Sequence, residues 1–160
     1  KEDKRNKHLK LVLAGRKTLN GNSEVLNALE TYILTNNLSK SVLMTDYLSR
    51  AEIRSLYKKA LIYVFPSVEE GFGIPILESF ATKTPVVTSN AGAMVEVAGG
   101  AAEHFNAGDY IELFKILNKL ITSKPKRTYL IERGSERLKT FSREKFINDY
   151  EHLILKSVKN

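Results

Sequence analysis

Residues Leu61–Glu78, LIYVFPSVEEGFGIPILE, are the stretch on which the fold turns. Leu61 to Phe65 is an apolar run of β-branched and aromatic residues, of strand length and too short to persist as a free helix. Pro66 ends it. A glycine-spaced loop follows, Glu70-Gly71-Phe72-Gly73, and Ile74-Pro75 then opens a helix with proline in its first turn, where a missing N–H costs nothing. Strand, glycine loop and helix head together make an anion cradle. The first N–H groups of a helix lack backbone partners, and the positive end of its dipole faces the loop. Glu70 stands at the entrance of that cradle and Glu78 about one turn into the helix. A phosphate site rimmed by carboxylates suits a ligand carrying both phosphates and hydroxyls, and a nucleotide sugar fits that description.

On either side, strands alternate with helices. His8 to Ala14 reads as a strand closed by Gly15, and Ser41 to Thr45 as a second. Between them, Ser23 to about Asn36 places Val25, Leu26, Leu29 and Ile33 on one stripe of a helix. Ser49-Arg50-Ala51-Glu52 is a capping box, and the helix it starts runs on through Ile53, Leu56 and Tyr57. The helix from Pro75 to about Thr82 is followed by a strand at Pro85–Thr88, a glycine- and alanine-rich turn, a brief helix near Met94–Val97, and a last strand at Ala101–Phe105. Asp109 caps a helix carrying Ile111, Phe114, Leu117 and Ile121 on one side. Two more helices are expected over roughly 126–139 and 142–157, the second capped by Ser142. The pattern predicts an α/β fold, a Rossmann-like parallel sheet with helices on both faces. Ligands bind beyond the carboxyl ends of such strands. Gly15, the Thr45–Leu48 turn, the Glu70–Gly73 loop and the Ser89–Ala93 turn are therefore expected to converge on one edge.

A chain of 160 residues is expected to form a single domain over 1–160 with a real core. It has no cysteine, which excludes a disulfide framework and a thiolate metal site and is compatible with the cytosol. No apolar run approaches the roughly 18–20 residues that span a bilayer, and no secretory leader is visible. The chain begins Lys1-Glu2-Asp3, so it is expected to be a piece of something longer. The formal charge is +7, and the whole excess lies from Lys115 onward, where twelve basic residues stand against five acidic ones. The plain reading is solvated helix faces. Contact with an anionic membrane surface stays open, so the expected location is cytoplasmic with or without membrane association. Nucleic acid is disfavoured, because no aromatic-basic recognition motif accompanies the charge.

A lone Gly-x-Gly commonly just makes a turn. Glu78 by itself is an acid near a helix N-terminus, and Glu70 by itself a loop carboxylate in water like its neighbour Glu69. Set together between a strand and a proline-led helix, with seven residues separating the two glutamates, the group is far more specific. The run from Phe65-Pro66-Ser67 through Glu70-Gly71-Phe72-Gly73-Ile74-Pro75 to Glu78-Ser79-Phe80-Ala81 and Thr84-Pro85-Val86-Val87 resembles the Glu-x7-Glu signature of group 1 retaining glycosyltransferases, two-domain enzymes of the GT-B fold. Tyr47-Leu48-Ser49 with Glu52 to Tyr57 upstream, and Ser89 to Ala93 with Glu96 and Gly99 to Ala102 downstream, extend the match. The resemblance covers roughly residues 9 to 150.

It implies a C-terminal donor-binding domain, in which Glu70 faces the donor sugar near the reacting carbon. Backbone N–H groups of Phe72, Gly73 and Ile74, beside Gly71, would meet the sugar and diphosphate. Glu78 would accept from the ribose hydroxyls, and Tyr47 and Leu48 would border the base, with Gly15 on the same rim. A carboxylate can accept two ribose hydroxyls in a fork, and a helix head stabilises charge on a departing diphosphate. There is no Asp-x-Asp pair, and His8, His104 and His152 lack ligand spacing, so neither a metal nor another cofactor is expected. Partners would be the nucleotide sugar and an acceptor-binding N-terminal domain. On this resemblance, that domain and the first strand-helix unit, whose arginine and lysine bind diphosphate in the family, are expected to lie outside these 160 residues. Arg16 and Lys17 sit on a different loop and do not replace that pair. Lys83 stands where the family has glycine, so the turn there is expected to be built differently. A non-catalytic nucleotide-sugar-binding subunit and a two-carboxylate glycoside hydrolase are the rival readings. Tyr57, Phe65 and Phe80 are expected to be packing residues, and His104 a satisfied structural histidine.

Overall fold

The computed structural model describes residues 8–15 and 23–158, so Arg16 and Lys17 lie outside the described residues. The chain divides into two compact units, 1–53 and 54–160. In the first, β1 (Leu11–Leu13) and β2 (Val42–Met44) pair in parallel around α1 (Ser23–Thr35), with Leu11 opposite Val42 and Leu13 opposite Met44. Thr45 closes the pair, its N–H donating to Leu13 O at 3.0 Å. Ile33 is buried, whereas Leu11 and Leu43 of the strands stay open to solvent. The capping box forms as read: Ser49 N donates to Glu52 Oε2 at 2.8 Å and Glu52 N to Ser49 Oγ at 3.3 Å, which starts α2 (Arg50–Lys59).

The second unit holds a three-stranded parallel sheet in the order β3 (Tyr63–Phe65), β4 (Val86–Ser89), β5 (Ala102–Phe105). Every residue of β4 is buried, and strand alternation splits its apolar pair between two cores. Val86 joins Ile76, Phe80, Met94, Val97 and Ala98 on one face. These come from α3 (Ile74–Ala81) and α4 (Met94–Ala98). Val87 joins Phe105, Leu120 and Leu130 on the other, with α5 (Tyr110–Thr122) and α6 (Lys124–Lys139). The α/β class is thus observed, as parallel strands flanked by helices.

Local signals set the helix ends. Asp109 Oδ1 accepts from Ile111 N at 3.0 Å and Glu112 N at 2.9 Å. Ser123 caps α6 through Lys126 N, with Pro125 in the first turn, so this helix starts two residues earlier than its apolar spacing indicates. Ser142 Oγ accepts from Lys145 N at 3.1 Å and opens α7 (Arg143–Val158). On that last helix Phe146, Tyr150 and Ile154 are exposed, and the rings of Phe146 and Tyr150 stack at 6.0 Å. No helix among the described residues is long and apolar enough to cross a membrane.

Two backbone positions depart from what composition suggests. Lys83 takes the left-handed conformation itself, at φ 59°, in the turn where a glycine would be unstrained. The expected rebuilding of this turn does not occur. Lys83 N instead donates to Phe80 O at 3.0 Å, and Thr82 Oγ1 to Glu78 O and Ser79 O, which fastens the end of α3 around the strained residue. Gly134 marks where α6 crosses α3. A Cβ there would lie 2.6 Å from Phe80 Cδ1, so the helices approach on a bare backbone.

Lys83→Gly should raise stability by about 0.5–1 kcal/mol, the left-handed strain relieved less the added chain entropy. Gly134→Ala should lower it by about 1–3 kcal/mol through overpacking against Phe80. Urea unfolding midpoints at constant m-value check both.

Candidate functional site

The glycine loop is built as a turn into a helix head. Gly73 caps α3 at φ 89° and ψ 43°, a conformation that L side chains avoid, and a Cβ there would press on Ile76 Cδ1 at 3.3 Å. Pro75 occupies the first turn, and Ile76 N turns back to Gly73 O at 2.9 Å. The N–H groups of Gly73 and Ile74 precede any intrahelical acceptor and sit at the positive end of the helix. Gly71 has open space where a Cβ would stand.

Parallel pairing brings the carboxyl ends of β3, β4 and β5 to one edge, and polar side chains lace that edge together. Thr88 Oγ1 donates to Phe65 O at 3.0 Å, and Ser89 Oγ donates to Ser67 O. Asn90 Nδ2 donates to Asn106 Oδ1 at 2.6 Å, while Asn106 donates through both its nitrogens to Glu112 Oε2. Gly92, at φ 53°, lets the turn after β4 close on the loop, since a Cβ there would stand 3.3 Å from Glu70 O. The Glu70–Gly73 loop and the Ser89–Ala93 turn therefore do meet. Gly15 follows β1 and Tyr47 and Leu48 follow β2, at the carboxyl edge of the other unit's sheet.

Both glutamates are exposed, and a pair of tyrosines lies beneath them. Tyr57 of α2 is buried, with its ring edge-on to Tyr63 of β3 at 4.9 Å. Its hydroxyl donates to Glu78 Oε2 at 3.4 Å. Burial first, then Tyr63 and the Glu78 charge, push the Tyr57 hydroxyl well above the usual tyrosine range. Burial also raises Tyr63. Its contact with the Tyr57 hydroxyl opposes that rise, and the charges of Glu78 and Glu70 add to it. Tyr63 thus feels the charge of both carboxylates. Tyr57 is a core residue as expected, but also a polar partner to the site. The available signal was its hydroxyl, since a buried Tyr needs a partner that a Phe does not.

Phe72 is held from far along the chain. Its ring meets Phe141 edge-on at 5.8 Å, and the Arg137 guanidinium lies 5.0 Å from the Phe141 centroid. Arg137 also donates to the carbonyls of Val97 and Glu96 at the end of α4. No local pattern foretells this contact. His104 is structural but only half satisfied: Nε2 meets Gly99 O at 3.2 Å, and Nδ1 is buried without a partner. Among the described residues no three His, Asp or Glu side chains gather as a metal site.

A family model described as "Glycosyl transferases group 1" matches residues 1–137. An O-antigen chain mannosyltransferase, RfbU of Salmonella typhimurium, is 34% identical over 89 residues, covering 56% of this chain and 25% of that protein. An uncharacterized glycosyltransferase of Methanocaldococcus jannaschii, MJ1178, is 34% identical over 132 residues, covering 79% of this chain and 36% of its own length. The chain thus spans a quarter to about a third of these two relatives. Among solved structures, Anabaena Alr3699/HepE in complex with UDP superposes with a TM-score of 0.80 at 22% identity, over 93% of this chain and 41% of that one. The C-terminal domain of a group 1 family protein, LpcC of Francisella tularensis, gives a TM-score of 0.69 at 19% identity, over 85% of this chain and 89% of that one. Both show the fold.

Because the folded state raises the Tyr57 pKa, its stabilising contribution is fully present below the free tyrosine value of about 10 and is lost as pH rises beyond it. Stability measured by urea unfolding should fall above about pH 10 and fall less steeply in Tyr57→Phe.

Proposed function

Because the chain belongs to the group 1 glycosyl transferases, we propose that it is the C-terminal donor-binding domain of a retaining enzyme. That enzyme moves a hexosyl group from a nucleoside diphosphate to a glycan or lipid-linked acceptor. The observation that supports this reading is the junction of β3, glycine loop and α3, with Glu70 in the loop before the Gly73 cap and Glu78 on the helix after it. The head of α3 receives the diphosphate on backbone N–H groups. Negative charge grows there as the bond to the anomeric carbon breaks. Glu70 accepts from hydroxyls of the sugar near that carbon, and Glu78 takes the ribose hydroxyls in a fork. The acceptor oxygen bonds to the anomeric carbon from the face that the diphosphate leaves, and its proton departs with the phosphate. The charge of the leaving group is met by the helix head and loop amides, without a metal.

Several relatives carry mannosyltransferase in their names, which puts a mannosyl donor first among the hexoses to try. The UDP and UDP-glucose complexes of the Anabaena protein keep uridine among the bases. The acceptor site belongs to a partner domain, and the chain alone binds donor weakly without turning it over. The positive excess on the helices from Lys115 onward suits a lipid-linked acceptor at an anionic membrane surface.

Calorimetric titration of the chain with UDP-glucose, GDP-mannose and ADP-glucose tests the proposal. One nucleotide series should bind, and Glu78→Ala should weaken it by about 1–3 kcal/mol, the scale of hydrogen bonds to a charged group. Binding of none, or rapid sugar transfer by the chain alone, would overturn it.

A further inference from the structure

Glu78 is an exposed side chain on the first turns of a helix, and left to itself a glutamate there samples many rotamers. A carboxylate that is to meet two vicinal hydroxyls must be held in one orientation. The structure offers one device for this, reaching it from below. Tyr57 is anchored at both ends. Its carbonyl accepts from Thr84 Oγ1 at 2.7 Å, which ties the end of α2 to the turn before β4. Its ring is wedged edge-on against Tyr63, whose own ring stacks on Phe65 at 6.2 Å. The hydroxyl at the tip of this fixed ring meets Glu78 Oε2. A neutral phenol donates one proton, and a carboxylate has about four acceptor positions, so the one taken by Tyr57 leaves the others for a ligand.

We propose that Tyr57 is a positioning residue for Glu78: its buried hydroxyl fixes the carboxylate so that the outward lone pairs meet the 2′ and 3′ hydroxyls of a ribose, and it thereby sets the preference for ribonucleotides over deoxyribonucleotides. This rests on the ribose role given to Glu78 above. Burial keeps the phenol protonated across the physiological range, so it acts as a donor under all ordinary conditions. Tyr63 braces the ring edge-on at 4.9 Å. At 3.4 Å the contact is long for an O–H···O bond.

The test compares UDP with 2′-deoxy-UDP, and GDP with 2′-deoxy-GDP, by NMR titration of the chain and its variants. Tyr57→Phe keeps the ring and its packing and removes only the hydroxyl. In the unmodified chain the preferred ribonucleotide should bind tighter than its deoxy analogue. Tyr57→Phe should weaken the ribonucleotide about threefold to tenfold, one lost hydrogen bond, and weaken the deoxy analogue, which keeps only the 3′ hydroxyl, by less, so that their ratio falls. Glu78→Ala should abolish the preference, and adding Tyr57→Phe to Glu78→Ala should change nothing more. A ratio retained in Tyr57→Phe, or an equal loss for both nucleotides, would overturn the inference while leaving the ribose role intact. Equal binding of the two nucleotides by the unmodified chain would overturn the ribose role, and this inference with it.

Discussion

Gly73 stands at φ 89° with the side chain of Ile76 pressed close beneath it, and the helix can begin where it does because no Cβ is present. That one backbone geometry turns the chain out of β3 and aims the head of α3 at the loop. Ile76 and Phe80, on the same helix, are then buried against Val86 of β4. The burial of this apolar face holds the helix in place against the entropy of ordering the loop. Site and core therefore share one element. Its inward residues lie in the core, and its first N–H groups lie at the candidate site.

Cross-links between strand ends give the loop its second support. Ser89 reaches Ser67, Thr88 reaches Phe65, and Gly92 packs on the backbone of Glu70. Each pairing joins residues far apart in sequence through the parallel register of β3 and β4. Such contacts cost loop-closure entropy to form and stiffen the edge once made. A glycine-rich loop alone would be soft. Laced to its neighbours, it presents a fixed arrangement of donors.

Much of this could be seen in the residues alone. The strand at Leu61–Phe65, the proline-led helix and the caps at Ser49, Asp109 and Ser142 are local signals that depend on a few neighbouring side chains, and the structure reproduces them within a few residues. What escaped is long-range or goes against local preference. The left-handed Lys83 is held by the hydrogen bonds at the end of α3, which override its own backbone preference. The Tyr57 hydroxyl looked like an ordinary core position because apolar spacing places the ring and is silent about the oxygen. The partner of Phe72 lies beyond α6, where no motif joins the two.

The Phe72–Phe141 contact has a mechanical consequence. Phe141 sits in the short turn between α6 and α7, and its other face is weighted by Arg137, which grips the end of α4. The glycine loop is thus joined, through Phe72, Phe141 and Arg137, to the turn before α7 and to the end of α4, besides the strands that carry it.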